Sequence, residues 1–296
     1  MLDKLEMFIA VAKEGHFGRA AASLGLTQPT LSSGIKQLED QLGVQLIFRG
    51  SRFGGLTPEG QTALVWARRI VGDARQLREE MRFKRHGLAG QLRIAVIPTA
   101  LTWASRLSSR FNEAHPNVRF TILSRTSVEI LSMLDNLDVD AGISYLDNEP
   151  MGLVSTEPLY EERYMLVCAA NSPFAKRRAV GWGELAGQKL CLLTSDMQNR
   201  RIIDRNFATA GVTPEAAIES NSTVVLVANV AEGGWLTVLP EEMARFLAGG
   251  KSLKIVPLEG EERAHSVGLV APYREPHTPV LDALLREARR MSASSR

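Results

Sequence analysis

The stretch Arg19-Ala20-Ala21-Ala22-Ser23-Leu24-Gly25-Leu26-Thr27-Gln28-Pro29-Thr30-Leu31-Ser32-Ser33-Gly34-Ile35-Lys36-Gln37-Leu38-Glu39 reads as two short helices joined by a tight turn. Residues 18–25 are rich in Ala, the best helix former, and Gly25 suits the left-handed residue that closes a helix. Leu26-Thr27-Gln28 makes the turn. Pro29 opens a second helix over about 29–41, where its missing N–H costs nothing. Leu31, Ile35, Leu38 and Leu42 give that helix one apolar stripe, and Gly43 ends it. Its other face is small and polar: Thr30, Ser32, Ser33, Lys36 and Gln37, with Thr27, Gln28 and Pro29 at the start. Gln bonds adenine edges, Ser and Thr bond several bases, and Lys reaches guanine or phosphate. A helix N-terminus also favours phosphate. The spacing is that of a helix-turn-helix, whose second helix enters the major groove. A helical hairpin in any bundle would carry the same pattern, so the pattern alone leaves both readings open. Gly34, inside the second helix, costs about 1 kcal/mol against Ala and predicts a loosened helix there.

On the N-terminal side, Leu2, Leu5, Phe8, Ile9 and Ala12 form one face of a helix. On the C-terminal side, Phe48 to Leu56 holds three glycines and two arginines, which suits a hairpin wing. Thr57-Pro58-Glu59-Gly60 then starts a long helix over 58–86, with Thr57 as N-cap and Pro58 in its first position. Along it Ala63, Ala67, Ile70, Ala74, Leu77 and Met81 alternate in steps of four and three, the seam of a coiled coil. Such a seam needs a partner helix. A second copy is the simplest source; packing on its own chain is the alternative. Arg68, Arg69, Arg75, Arg78, Arg82, Lys84 and Arg85 crowd the same helix and read chiefly as a solvated face, a few of them within reach of DNA phosphates.

After the joint Gly87-Leu88-Ala89-Gly90 the texture changes to strands alternating with helices. Leu92–Ile97 is a strand, helices lie near 100–114 and 127–136, and strands near 118–123 and 139–144. A second such unit starts at Tyr164–Cys168 and includes Lys189–Leu193 and helices near 198–210 and 223–232. The strand Ser266–Val270 and the helix after Pro279 return to the first unit. This predicts an α/β domain with largely parallel sheets, made of two lobes joined by two crossings with a cleft between them. The expected organisation is a DNA-binding domain over 1–57, a linker helix over 58–86 and a sensor over 91–296. In the sensor, lobe I takes about 91–162 and 266–296, and lobe II about 163–265.

The 296 residues suit about two domains. The net charge of +2 does not decide about nucleic acid, because a local basic face hides inside a neutral total. Cys168 and Cys191 are too few for a disulfide framework and have no metal-ligand spacing. The N-terminal residues Asp3 and Glu6 do not suit a secretory signal, and no apolar run reaches about 18 residues. A soluble, cytoplasmic protein without cofactor, metal or membrane partner is expected. Phosphate-cradling loops with Lys, His-Glu-x-x-His and Gly-x-Ser-x-Gly are absent, which argues against those enzyme classes. His16, His86, His115, His265 and His277 are scattered and read as surface or loop residues.

From Ala20 to Glu39 the sequence closely resembles the N-terminal signature of LysR-type regulators. So do Leu42-Gly43-Val44-Gln45-Leu46-Ile47-Phe48-Arg49-Gly50-Ser51-Arg52 and Leu56-Thr57-Pro58-Glu59-Gly60. Weaker features continue the resemblance: Ile97-Pro98-Thr99, and Gly233-Gly234 leading to Leu239-Pro240. The resemblance implies an α plus α/β architecture: winged helix-turn-helix, long linker helix and a two-lobed sensor like the periplasmic binding proteins. It implies binding to double-stranded promoter DNA, control by a small-molecule effector, pairing as a homodimer or homotetramer, and RNA polymerase as a further partner. Gln28, Pro29, Thr30, Ser32 and Ser33 fall where such proteins contact bases, and Arg49 and Arg52 where the wing approaches the backbone and minor groove. Ser33 departs from the pattern, since many members carry Arg there.

Strand ends and helix N-termini facing the cleft offer free N–H groups to an anion. The candidates are Thr99, Ala100 and Thr102 after the first strand, Arg125, Thr126 and Ser127 after the second, and Ser144 ending the third. Lobe II adds Thr194, Ser195, Asn199 and Thr223. The resemblance favours Thr99, Ser127, Thr194 and Ser195. Each Ser or Thr alone reads equally as a helix cap; their gathering at equivalent ends argues for a site, with a small carboxylate as the expected ligand class. A solute-binding transport protein would share the two lobes but not the N-terminal domain. A peroxide sensor would need an exposed, reactive cysteine, whereas Cys168 and Cys191 lie in apolar strand patterns.

Overall fold

The computed structural model describes residues 1–48, 53–147, 151–260, 264–273 and 276–294. Two compact units divide the chain, the first holding Met1–Gly87 and the second most of the chain from Leu88 onward.

The first unit is helical: α1 (Leu2–Glu14), α2 (Phe17–Ser23), α3 (Gln28–Leu42) and α4 (Pro58–His86). Each start has a local cause. The His16 imidazole caps α2 by accepting from the N–H groups of Gly18 and Arg19, a role its sequence context does not announce. Thr27 caps α3 by accepting from Thr30 N–H at 3.3 Å. Thr57 caps α4, accepting from Gly60 N–H at 2.9 Å and donating to Gln45 O at 2.6 Å. Between α2 and α3 the chain reverses at Gly25, whose φ of +67 favours glycine. Phe8, Val11, Ala20, Leu31, Leu38, Leu46, Ala67 and Val71 make the core. Gly34 does not loosen α3. It is buried inside a continuous helix, against the flexible end of the Met7 side chain of α1. Ile47 pairs with Leu56 in an antiparallel bridge, which fits the base of a wing. Arg49 and Arg52 lie outside the described residues.

The second unit contains two sheets. The first has the order β2-β1-β3-β11-β4: β1 (Gly90–Val96), β2 (Val118–Ser124), β3 (Ala141–Tyr145), β4 (Val154–Glu162) and β11 (His265–Pro272). The second has the order β6-β10-β5-β9-β7-β8: β5 (Tyr164–Ala169), β6 (Val180–Gly181), β7 (Leu190–Leu193), β8 (Ala216–Ser220), β9 (Leu236–Pro240) and β10 (Leu253–Glu259). Helices α5 (Leu101–Ala114), α6 (Ser127–Asp135) and α10 (Pro279–Ser294) belong with the first sheet. Helices α7 (Gln198–Thr209), α8 (Thr223–Glu232) and α9 (Glu241–Ala248) belong with the second.

The sheets are mixed, a correction to the expected largely parallel ones. β1 runs parallel to β2 and β3, but β11 is antiparallel to both β3 and β4. In the second sheet β5 is antiparallel to β9 and β10. The reason lies in the crossings. The chain leaves the first sheet after β4, returns after β10, and each passage lays a strand against the direction set by the βα units.

Candidate functional site

Along α3, Leu31, Gly34, Ile35 and Leu38 are buried, while Gln28, Pro29, Thr30, Ser32, Ser33, Lys36 and Gln37 are exposed, as is Thr27 at the cap. The polar face is therefore free to meet a groove. Ser33 Oγ accepts from Gln37 Nε2 at 3.4 Å, and the Thr27 and Thr30 hydroxyls share a 2.8 Å hydrogen bond. Glu39, missed as a functional position, accepts from Leu46 N–H at 2.8 Å and Ile47 N–H at 3.2 Å. It ties this segment to α3.

The expected seam on α4 splits. Ala67 is fully buried in its own domain's core, and Ala63 packs against that core. They leave the seam because α1 occupies that side of the helix, with Val71 buried beside them. Ala74 is half-buried. Of the seam, Ile70, Leu77 and Met81 stay exposed, and Trp66, which the heptad count passed over, is exposed beside them; Val65 and Phe83 are exposed on another side of the helix. At about 100° per residue Trp66, Ile70, Leu77 and Met81 fall within about 60° of one another on the helix.

The second unit contains a cavity of about 450 Å³. Pro98, Leu101, Ser124, Arg125, Thr126 and Glu129 line it on one side, and Asp196, Met197 and Asn221–Val224 on the other. Two helices begin at this cavity, α7 at Met197 and α8 at Ser222, and neither has a side-chain cap, so the positive ends of two helix dipoles face it. α5 continues from a 3-10 turn over Pro98–Ala100. α6 differs. Thr126 N–H donates to the Glu129 carboxylate at 2.8 Å and Glu129 N–H to the Thr126 hydroxyl at 3.2 Å, a reciprocal capping box.

Behind the cavity lies an inner pocket of about 10 Å³, room for a group the size of a water molecule. Ile97, Pro98, Thr99, Ser127, Tyr145, Leu193, Met197, Gln198 and Asn199 line it. Thr99, Ser127 and Asn199 are almost fully buried, and Thr99 Oγ1, Ser127 Oγ and Asn199 Oδ1 make no hydrogen bond of regular geometry. Leaving such atoms unpaired costs about 1–3 kcal/mol each. Of the residues expected from sequence, Thr99, Ser127 and Asn199 come together here, and Arg125, Thr126 and Thr223 line the outer cavity. Ala100, Thr102, Ser144, Thr194 and Ser195 line neither space: Ala100 and Ser144 are buried, and Ser195 is exposed.

Beside the inner pocket sits a buried carboxyl that sequence reasoning missed. Glu162 accepts from Tyr145 Oη at 2.6 Å, Tyr160 Oη at 3.2 Å and Tyr164 Oη at 3.5 Å. Burial raises its pKa to about 7, although the hydroxyls of Tyr145, Tyr160, Thr99 and Tyr164 pull it back part of the way. Burial, then the neighbouring Glu162 charge, lifts Tyr145 and Tyr160 well above the ordinary phenol range.

A helix-turn-helix with its polar face outward, followed by a two-lobed α/β unit with a polar cleft, defines the class of ligand-responsive DNA-binding transcription regulators. Residues 2–61 match the family described as "Bacterial regulatory helix-turn-helix protein, lysR family", and residues 85–293 match "LysR substrate binding domain". The chain belongs to the LysR family of transcription regulators. It is 31% identical to the uncharacterized HTH-type transcriptional regulator YbhD of Escherichia coli over 70% of this chain and 65% of that one. It is 28% identical to the E. coli DNA-binding transcriptional dual regulator OxyR over 95% of this chain and 93% of that one. Full-length OxyR from Pseudomonas aeruginosa, solved as a single-site variant, superposes with a TM-score of 0.74 at 25% identity, covering 98% of this chain and 94% of that chain.

Proposed function

We propose that α3 reads promoter DNA through Thr27, Gln28, Pro29, Thr30, Ser32, Ser33 and Lys36, with Arg49 and Arg52 on the wing, and that the cleft binds a small organic anion. The proposed working form is a homodimer or homotetramer paired along the outward face of α4, acting in the cytoplasm and without enzymatic activity. The N-termini of α7 and α8, which have no side-chain cap, backed by the buried and unpartnered Ser127 Oγ and Asn199 Oδ1, carry the effector reading. A carboxylate would take the N–H groups, with Arg125 beside it. Effector binding then shifts the balance between two closures of the lobes, as far as its affinities for the two differ.

The first test is a footprint on DNA upstream of the gene at two salt concentrations. Protection that weakens as salt rises is the expected result, because phosphate contacts release counterions. Replacing Ser32 or Arg52 by Ala should weaken the footprint and leave the oligomer intact; normal protection by both variants would place the groove contacts elsewhere. For the cleft, Ser127→Ala should lower effector affinity about tenfold, the loss of one hydrogen bond in a buried site, in calorimetry with a panel of small carboxylates. For the pairing, Leu77→Asp should reduce the mass in sedimentation to that of one chain with unchanged helical content.

The relatedness to OxyR raises peroxide sensing as a second reading, and this chain's cysteines do not favour it. Cys168 and Cys191 are both fully buried in strands. Burial raises both thiols, that of Cys191 to about 11, so neither has the thiolate character peroxide attacks.

A further inference from the structure

The inner pocket is bounded by hydrogen bonds that lead away from it to Glu162. Tyr145 Oη donates to Glu162 Oε2 at 2.6 Å. Asn199 Nδ2 lies 3.4 Å from Tyr145 Oη and 3.3 Å from Tyr164 Oη. A phenol has one proton to give. With that of Tyr145 committed to the carboxylate, its oxygen accepts; Tyr164 Oη stands 3.3 Å from it, and of the two ends of the Asn199 amide only the NH₂ can donate to it. The amide is therefore oriented: NH₂ toward the tyrosines, Oδ1 away from them. That oxygen is buried without a partner, and so is the hydroxyl of Ser127 in the same pocket, while the Thr99 hydroxyl beside them lies toward Glu162.

We propose that Asn199 Oδ1 receives a hydrogen-bond donor of the effector, a hydroxyl or amide N–H, and that the proton on Glu162 decides which end of that amide the pocket presents. The proposal rests on the cleft being the effector site and adds the chemistry of its deepest contact. With Glu162 ionised, the relay runs from Asn199 NH₂ through Tyr145 to the carboxylate, and the pocket offers an acceptor. With Glu162 protonated, the carboxyl donates to Tyr145. The Tyr145 proton then turns toward Asn199, and the amide rotates to offer its oxygen to the phenol and its NH₂ to the pocket. Ligands with a small donor group are thus favoured at alkaline pH, and ligands with an acceptor in that place at acid pH.

The groups around the carboxyl are compatible with this. Tyr145, Tyr160 and Tyr164 face it from β3, β4 and β5. His265 stands opposite Glu162 in the β4–β11 register, with its ring against Tyr145 and Tyr164 and its Nδ1 3.4 Å from Asp147. Glu242 of α9, paired with Arg106 of α5, adds negative charge felt at Tyr160. From α7 the facing group is Asn199. Burial in this setting places the Glu162 titration at about 7, within the range a cell visits.

The test uses the full chain with ¹⁵N-labelled asparagine side chains, Asn199→Asp supplying the assignment, titrated from about pH 5.5 to about 8.5. The Asn199 amide signals should shift with a midpoint near neutrality and stay constant in Glu162→Gln. No shift in the wild type, or a shift that persists in Glu162→Gln, overturns the relay. Lactate against propionate and malate against succinate, pairs that differ by one hydroxyl, are then titrated by calorimetry at both ends of the range. The hydroxylated member should bind about tenfold tighter at the alkaline end. The gap should close to about twofold at the acid end and in Glu162→Gln. Equal binding within each pair at alkaline pH, or a hydroxyl preference indifferent to pH and to the variant, overturns the proposal. If neither pair binds while the amide titrates as described, the carboxylate reading of the outer cavity fails and the relay stands.

Discussion

Gly60→Ala should abolish DNA binding and leave the sensor folded. Helix propensity predicts the opposite, since Ala is favoured over Gly inside a helix by about 1 kcal/mol. Packing decides against it. A methyl group at Gly60 would run into the carbonyl oxygen of Leu46, which is backbone at the base of the wing and cannot rotate away. Leu46 is itself buried, and its carbonyl accepts from Thr57 N–H at 3.0 Å, so α4 and the wing are fixed to each other at this point. Overpacking of this kind costs about 3 kcal/mol, a large share of the stability of a small domain. Denaturant unfolding followed by circular dichroism should show the helical domain melting early and the sensor transition unmoved. Gly34→Ala is the control. Its methyl group would meet only the Met7 side chain, which can swing aside, so the variant should change stability by no more than about 1 kcal/mol. Equal effects at the two glycines would refute the packing account.

The stability of the sensor should fall as pH rises from about 5 to about 8, and Glu162→Gln should remove most of that fall. The sign is set by the direction of the shift. Glu162 in the folded chain titrates at about 7, above its ordinary 4.5, so between those values the folded form holds a proton that the unfolded form has released. Raising the pH therefore favours unfolding, by up to about 1.4 kcal/mol for each pH unit, and by about 3 kcal/mol across the window. The penalty is absent below about 4.5 and complete above about 7. Urea midpoints for the sensor transition at the two pH values, in wild type and variant, isolate this contribution because every other titrating group is common to both. Parallel pH profiles would show that Glu162 is already ionised in the folded state at low pH.

How legible each element was in the sequence depends on how that element is stabilised. Helix α3 could be read residue by residue, because its caps, its Pro and its apolar stripe are local signals. The βα alternation of the first lobe was equally plain, since its strands are short stretches rich in apolar residues, such as Leu92, Ile94, Ala95 and Val96 in β1 and Val118, Phe120, Ile122 and Leu123 in β2. β4 was not. Its sequence Val154-Ser155-Thr156-Glu157-Pro158-Leu159-Tyr160-Glu161-Glu162 is polar and interrupted by proline. Such a sequence is tolerated because β4 is the outermost strand of its sheet and Pro158 stands opposite Gly268, where the register is irregular. With β4 unread, Glu162 had no place, and its three tyrosine partners looked like ordinary aromatic residues. Thr99, Ser127 and Asn199 were foreseen from strand and helix ends, but which candidates share a pocket depends on crossings that no local pattern encodes. On α4 the heptad count combined Ala63 and Ala67, which its own domain covers, with the exposed Ile70, Leu77 and Met81, and missed Trp66 on the open side.

The outward stripe of α4 has a consequence for dosage. Trp66, Ile70, Leu77 and Met81 are each more than two-fifths exposed in the single chain. If a second chain covers them, mass action links the folding of this helix to the amount of protein present. At low copy number the helix would lose its partner and fray, and DNA reading would fade before any effector is involved. At high copy number the same stripe would be silent. The concentration of the regulator would then act as an input in its own right, set by how strongly its own gene is expressed.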